Sequence, residues 1–471
     1  MGNFWDYNVW STVSVLAVLL LGLLAANALK KNIRLLRESL IPTSVLAGVL
    51  LLVISTIYEA ISGTSLFETG LFGQNGTFQL EVVTYHCLAL GFVATSFRPS
   101  TRKFDKKRGA EIFNTGVTTV STYLIQAVLG MGITVLLALF VKDLYPASGL
   151  LLPFGYGQGS GQAMNYGSIY EADGFVGGKS FGLTIAALGF LCASIGGVIH
   201  LNILKKRGAV KFIPLEDEKA ESLTGEDVQS PDEIPMNGSI DKLTVQMAFV
   251  FCTYFASYGV IYLLSSLVPG FRSVLYGFNF LVGVLIATLI CIVYRFLKRK
   301  GVVKKQYLNG FLMNRISGFF FDIMVTAGIA AIRLDVVKQY WWIVLLLGAL
   351  GAVMTYFYNR LVAKTLFKEY QEEQFLAMYG MLTGTASTGM ILLRELDGEY
   401  KTPTADNLVY QNLPAIVFGF PLMLLATLAP KKPSLTLLLL FLFMVVMNII
   451  LFRRQIFCRR KDKSTENTDR E

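Results

Sequence analysis

The chain has 471 residues, 54% hydrophobic and only 16% charged, with a formal net charge of +10. That apolar excess excludes an ordinary soluble globular protein and points to a polytopic membrane protein. The positive charge does not argue for a nucleic-acid partner, because the basic residues lie in short clusters between apolar runs, as membrane topology signals do. Five single cysteines, with no C-x-x-C pair, give neither a metal nor a disulfide framework, and no cofactor is expected.

Runs of about 20 apolar residues, each long enough to span a bilayer, cover 9–28, 41–60, 78–97 and 113–141. The first lacks a basic leader and a small-residue exit, so it reads as a retained span and not a cleaved signal peptide. Pro42 falls in the first turn of the second, where its missing N–H costs nothing. A glycine-rich stretch follows at 153–170, P-F-G-Y-G-Q-G-S-G-Q-A-M-N-Y-G-S-I-Y, and then a span at 181–204. The second half gives spans at 243–268, 275–297, 311–332 and 341–362. It continues with a broken segment at 375–396 containing Y-G-M-L-T-G-T-A-S-T-G-M, a span at 408–428 and a last span at 435–452. The acidic, polar stretch 215–241 between the halves reads as a solvated cytoplasmic linker.

Irregular backbone at membrane depth survives only inside protein or along a wet cavity, since lipid cannot satisfy bare peptide groups. Both interrupted stretches are therefore candidate re-entrant hairpins, the usual seat of a transport site. If each enters and leaves on one side, the basic clusters around Lys30, Arg98–Arg108, Lys205–Arg207, Lys298–Lys305 and Arg453–Lys461 all fall on one face. That face reads as cytoplasmic, with the amino terminus outside and the carboxyl terminus inside a cell membrane.

The halves match each other. First spans start at Val9 and Leu243, third at Phe78 and Phe311, and the glycine-rich stretches at Gly155 and Gly380, each offset roughly 230 residues. Five spans per repeat is an odd number, so the second copy is inverted. The expected fold is an all-α polytopic membrane protein of two inverted five-helix repeats, each with a re-entrant hairpin, plus one extra C-terminal transmembrane helix. The first repeat covers 1–210 with its hairpin near 148–172, and the linker covers 211–241. The second repeat covers 242–430 with its hairpin near 375–396, and 431–471 forms the extra span and basic tail.

In the first hairpin, alternating glycines at Gly157, Gly159 and Gly161 let amides turn toward a ligand. Free amides at half-helix N-termini carry about half a positive charge and suit a carboxylate. Gln158, Ser160, Gln162 and Asn165 can orient it; close helix packing by small residues is the alternative use of such a stretch. In the second hairpin, Thr385, Ser387 and Thr388 are substrate candidates and Thr383 and Gly384 cation ligands. Arg394, two turns on, either grips a substrate carboxylate bidentately or lies at the cytoplasmic surface beside Glu395 and Asp397. Asp322, in mid-span, is a functional candidate by its cost alone and pairs with Thr326 as a candidate sodium ligand. Gln411 and Asn412, ahead of Pro414, can complete that site. His86 and His200 read as packing or interface residues rather than a proton relay.

These residues resemble the sodium/glutamate symporter family. Tyr156–Ala163, Y-G-Q-G-S-G-Q-A, resembles that family's G-G-H-G-T-G-A-A. Leu188–Val198, L-G-F-L-C-A-S-I-G-G-V, resembles F-G-L-x-L-G-G-x-I-G-G, and Ile41–Gly48, I-P-T-S-V-L-A-G, resembles I-P-E-P-V-A-G-G. The resemblance covers most of the chain to about Leu428. It implies two inverted five-span repeats whose re-entrant loops meet near mid-membrane, sodium-coupled uptake of glutamate with sodium as coupling ion, and a homodimer with an elevator-like movement. The chain departs at Gln158, where the family has His, at Ser160, where it has Thr, in the hydroxyl-rich second hairpin, and in the extra last span. A sodium- or proton-coupled carrier of another carboxylate, such as citrate or malate, fits the same architecture, and a passive channel fits it less well. No Ser/His/Asp set, His cluster or H-E-x-x-H pattern argues for an enzyme.

Overall fold

The structure, a computed structural model, describes residues 3–38, 40–97, 106–142, 144–207, 240–269, 272–277, 279–303, 307–397 and 402–456. The linker expected at 211–241 lies outside them but for its last two residues, as do the tail beyond 456, parts of the basic clusters and the side chain of Ser387.

Among the described residues the chain is all-helical, and ten helices are long and apolar enough to cross a membrane. In chain order the main helices are α1 (Tyr7–Asn32), α2 (Thr43–Ser62), α3 (Gly76–Ser96), α4 (Lys106–Leu137), α5 (Leu151–Gly157), α6 (Ser160–Ala172) and α7 (Gly178–Lys206). They continue with α8 (Lys242–Leu267), α9 (Asn279–Arg299), α10 (Gly310–Ala330), α11 (Trp341–Leu366) and α12 (Gln371–Thr383). The last are α13 (Ala386–Arg394), α14 (Thr404–Tyr410), α15 (Asn412–Leu428) and α16 (Pro433–Leu451).

Local chemistry sets the boundaries. Asp241 caps α8, its carboxylate accepting from Thr244 N at 3.1 Å, and Asn309 caps α10, accepting from Leu312 N at 3.0 Å. Gly63, at φ 78°, closes α2, and Pro433 opens α16 at its first turn. Lys30–Lys31 and Lys298–Arg299 fill the last turns of α1 and α9, where the helix dipole favours cations. The span expected at 408–428 is divided into α14 and α15. Pro414 has no N–H to bond Tyr410 four residues back, so the helix slackens at Gln411.

The helices pack in two groups. In one, α1, α2 and α3 pack with α8, α9 and α10, and α3 against α10 is its closest pair. Gly91 of α3 admits Phe321 of α10, and Thr95 Oγ1 lies 2.7 Å from Ser317 Oγ, so small and polar residues bring the two backbones together. In the other group α4 to α7 pack with α11 to α16. Here Gly130 of α4 lies so near Gly149 that a Cβ on the latter would stand 1.9 Å from the Gly130 carbonyl oxygen. The groups touch mainly through α6 and the start of α7: Gly161 against Leu88 of α3, Ser160 against Gly328 of α10, Asn165 Nδ2 to Gly277 O, and Lys179 Nζ to Glu81 of α3 at 2.7 Å.

Candidate functional site

The glycine-rich stretch is helical almost throughout and breaks only at Gln158 and Gly159. Gly159 adopts φ 84°, ψ −179°, a conformation essentially closed to residues with a Cβ. Gly155, Gly161 and Gly167 have another use: they seat Ile185, Leu88 and the Gly178 carbonyl against the helix surface, which is the close-packing reading of the stretch. The Gly157 carbonyl, released by the break, accepts a hydrogen bond from the Tyr123 hydroxyl of α4 at 2.9 Å.

The second stretch breaks in the same way. α12 ends at Thr383, Gly384 takes φ −133°, ψ −104°, and Thr385 is extended and begins α13. Thr385 Oγ1 lies 3.4 Å from the buried Thr388 Oγ1. Behind this break Gln126 of α4 donates from Nε2 to the Leu382 carbonyl at 2.9 Å.

The two breaks meet: a Cβ at Gly159 would stand 3.5 Å from Thr385 Cγ2, ordinary contact distance. The C-terminal ends of α5 and α12 and the N-terminal ends of α6 and α13 therefore converge. N-terminal ends present free amides and partial positive charge, and C-terminal ends free carbonyls and partial negative charge. One junction thus offers ground to an anion and to a cation. Ser160 is fully buried and its Oγ has no hydrogen-bond partner; Gln162 is 1% exposed and neither atom of its amide has one. A buried polar atom left unpaired costs about 1–3 kcal/mol, and a hydrogen-bonding ligand would remove that cost.

The other expected site residues occupy several places. Gln158 is half-buried at the break, and Asn165 is turned to Gly277 of the other helix group. Thr383 bonds back to Tyr379 O at 2.6 Å, while its own carbonyl packs on Gly189 of α7; Gly384 packs on Thr388 and Phe190. Gln411 joins α4 and α12, accepting from Thr119 at 2.8 Å and donating to Met381 Sδ at 3.4 Å and Asn412 Oδ1 at 3.2 Å. Asp322 is exposed on α10, hydrogen-bonded by the Ser44 hydroxyl, and Thr326 bonds the Ser44 carbonyl at 3.1 Å. The expected six-residue sodium set is thus divided among the α2–α10 contact, the second break and the α14–α15 joint. Arg394 ends α13, exposed, with Lys30 and Glu395 as its charged neighbours, and does not reach the breaks.

Five residues that the sequence reading passed over approach the breaks or support them. Tyr123 and Gln126 hold the ends of α5 and α12, and Gln126 also donates to Thr355 of α11 at 2.8 Å. Asn359, one turn along α11, faces Thr122 of α4. The signal lay in the run Thr115, Thr119, Thr122 and Gln126, a polar row at helical spacing inside an apolar span. No protein-family model, curated protein or solved structure matches the chain.

Proposed function

We propose that the chain is a secondary active transporter that symports sodium with a small carboxylate into the cell by alternating access, with L-glutamate the substrate implied by the sequence resemblance. The meeting of two helix breaks, with the unpartnered Ser160 Oγ and Gln162 amide in the first turn of α6, carries this reading. The substrate carboxylate lies against the free amides at the starts of α6 and α13, with Ser160 and Gln162 supplying directed hydrogen bonds.

Two further observations support it. Several helix contacts pair up in the way a repeat would have them. α2 packs on α10 as α9 packs on α3; α4 packs on α5 as α11 packs on α12; and α4 and α11 pack on each other. On this reading α1 to α7 form one repeat and α8 to α15 the other, with each broken pair re-entering the membrane and α16 standing outside the repeat. The division into two helix groups, joined chiefly through α6 and α7, suits a carrier whose break-bearing group moves against a fixed one.

The energetics are adequate. One charge crossing 100 mV is worth about 2.3 kcal/mol, and about 1.4 kcal/mol is tenfold in concentration. Two sodium ions per monoanion would use the potential as well as the sodium gradient, and one ion only the gradient. Gln158 and Ser160, standing where the resembled family has His and Thr, favour a second reading in which the same machinery carries another carboxylate such as citrate or malate.

Uptake of labelled glutamate into proteoliposomes, under an inward sodium gradient and a matched potassium control, tests the proposal. Sodium-driven accumulation weakened by Ser160→Ala is expected. Sodium-driven uptake of a different carboxylate would replace the substrate, and uptake of nothing under any cation gradient by folded protein would end the transporter reading.

A further inference from the structure

The two long helices behind the breaks, α4 and α11, cross antiparallel through a polar seam. Thr122 and Gln126 lie one turn apart on α4, Thr355 and Asn359 one turn apart on α11, and none is more than 1% exposed. Most of their hydrogens can be assigned. The Thr122 hydroxyl donates to Thr118 O at 2.8 Å and the Thr355 hydroxyl to Gly351 O at 2.6 Å. Asn359 donates from Nδ2 to Thr355 O at 2.9 Å. Gln126 donates its two amide protons to Thr355 Oγ1 and to Leu382 O. The Leu382 carbonyl can only accept, which fixes the way round that amide lies. Gln126 Oε1 is then left buried with no partner. Asn359 Oδ1 has only a long contact from the Thr122 hydroxyl, at 3.5 Å, and shares that one proton with the nearer Thr118 carbonyl at 2.8 Å. A buried oxygen short of hydrogen donors is costly in a dry interior, and a cation reverses the sign.

We infer that this seam is a sodium site, with Gln126 Oε1, Asn359 Oδ1 and Thr122 Oγ1 as its side-chain ligands. Neutral oxygens suit a hard cation, and with no carboxylate among the described residues of the seam to balance a second charge the ion is monovalent. The C-terminal end of α12, reached through the Leu382 carbonyl, adds partial negative charge. The inference rests on the transporter reading and gives its coupling ion an address. Gln126 holds Leu382, two residues before Gly384, while the adjacent Tyr123 holds Gly157 of the other break. An ion that fixes Gln126 therefore stiffens the junction where the anion binds, and each ligand raises the other's affinity by the same factor.

The test follows the melting temperature of the purified full chain in detergent as NaCl replaces KCl at constant ionic strength, alongside sodium-dependent uptake in proteoliposomes. Sodium stabilises the native protein. Its half-saturating concentration rises about tenfold or more in Gln126→Leu and Thr122→Val, and stays within about twofold in Thr122→Ser, which keeps the oxygen. If Gln126→Leu does not fold, the Thr122 pair alone decides the matter. No difference between sodium and potassium on the native protein overturns the site, water then satisfying the seam. Sodium-driven uptake whose half-saturation is the same in all variants overturns the site and leaves the transporter standing. Sodium stabilisation that shifts as expected, without uptake of any carboxylate, supports the site and removes the transporter.

Discussion

Gly159→Ala tests the break most directly. The structure leaves room for the methyl group, whose nearest neighbour would be Thr385 Cγ2 at 3.5 Å, so steric exclusion is not the difficulty. The cost is in the backbone: φ 84° with ψ −179° is open almost only to glycine, and holding alanine there costs about 1–3 kcal/mol. The chain either bears that strain or turns the peptide and moves Ser160 and the start of α6 away from Thr385. Bearing the strain lowers the melting temperature, and moving the start of α6 removes about 5- to 150-fold from transport at low substrate concentration. Gly132→Ala on α4 is the control, because nothing lies within 4 Å of its added methyl and alanine is the better helix former by about 0.5–1 kcal/mol. Initial uptake rates in proteoliposomes, with melting temperatures in detergent, provide the comparison. A Gly159→Ala protein as active and as stable as Gly132→Ala would refute the argument from the break.

Other substitutions separate ligand binding from folding. Ser160→Ala removes a buried hydroxyl that no protein atom satisfies, so melting stays level or rises, while substrate affinity falls about tenfold through loss of a hydrogen bond to a charged group; thermal unfolding and uptake KM read the two effects separately. Tyr123→Phe frees the Gly157 carbonyl and costs about 1 kcal/mol of stability, seen as a lower melting temperature, with the ring still packed on Gly157. Gly149→Ala drives a Cβ to 1.9 Å from Gly130 O and parts α4 from the turn before α5, lowering stability by about 1–3 kcal/mol or more. Glu372→Gln breaks the two-point contact with Arg360 and the 3.0 Å contact with His200 at the far end of α12. It costs about 2 kcal/mol in thermal unfolding and leaves substrate affinity unchanged.

Primary structure alone dictates the helices and where two of them fail. Length and apolarity in a bilayer-sized run dictate a helix whatever packs beside it, so the expected spans match α1 to α4, α7 to α11 and α16 to within a few residues, save α4, which begins earlier. The two breaks were legible because glycines and hydroxyls inside apolar sequence have few uses. Tertiary structure decided which of those residues form the breaks and which only pack, since Gly155 and Gly159 look alike until neighbours are known: Ile185 lies against one and the other turns the chain. It also divided the acidic and amide candidates. Asp322 is costly wherever it sits in a span, but its place beside Ser44 depends on how α10 meets α2. Gln126 and Thr355 carry no local signal of meeting each other, because their helices are far apart in sequence. A side chain's chemistry belongs to the sequence; its partners, and the protons left over once they are assigned, belong to the packed molecule.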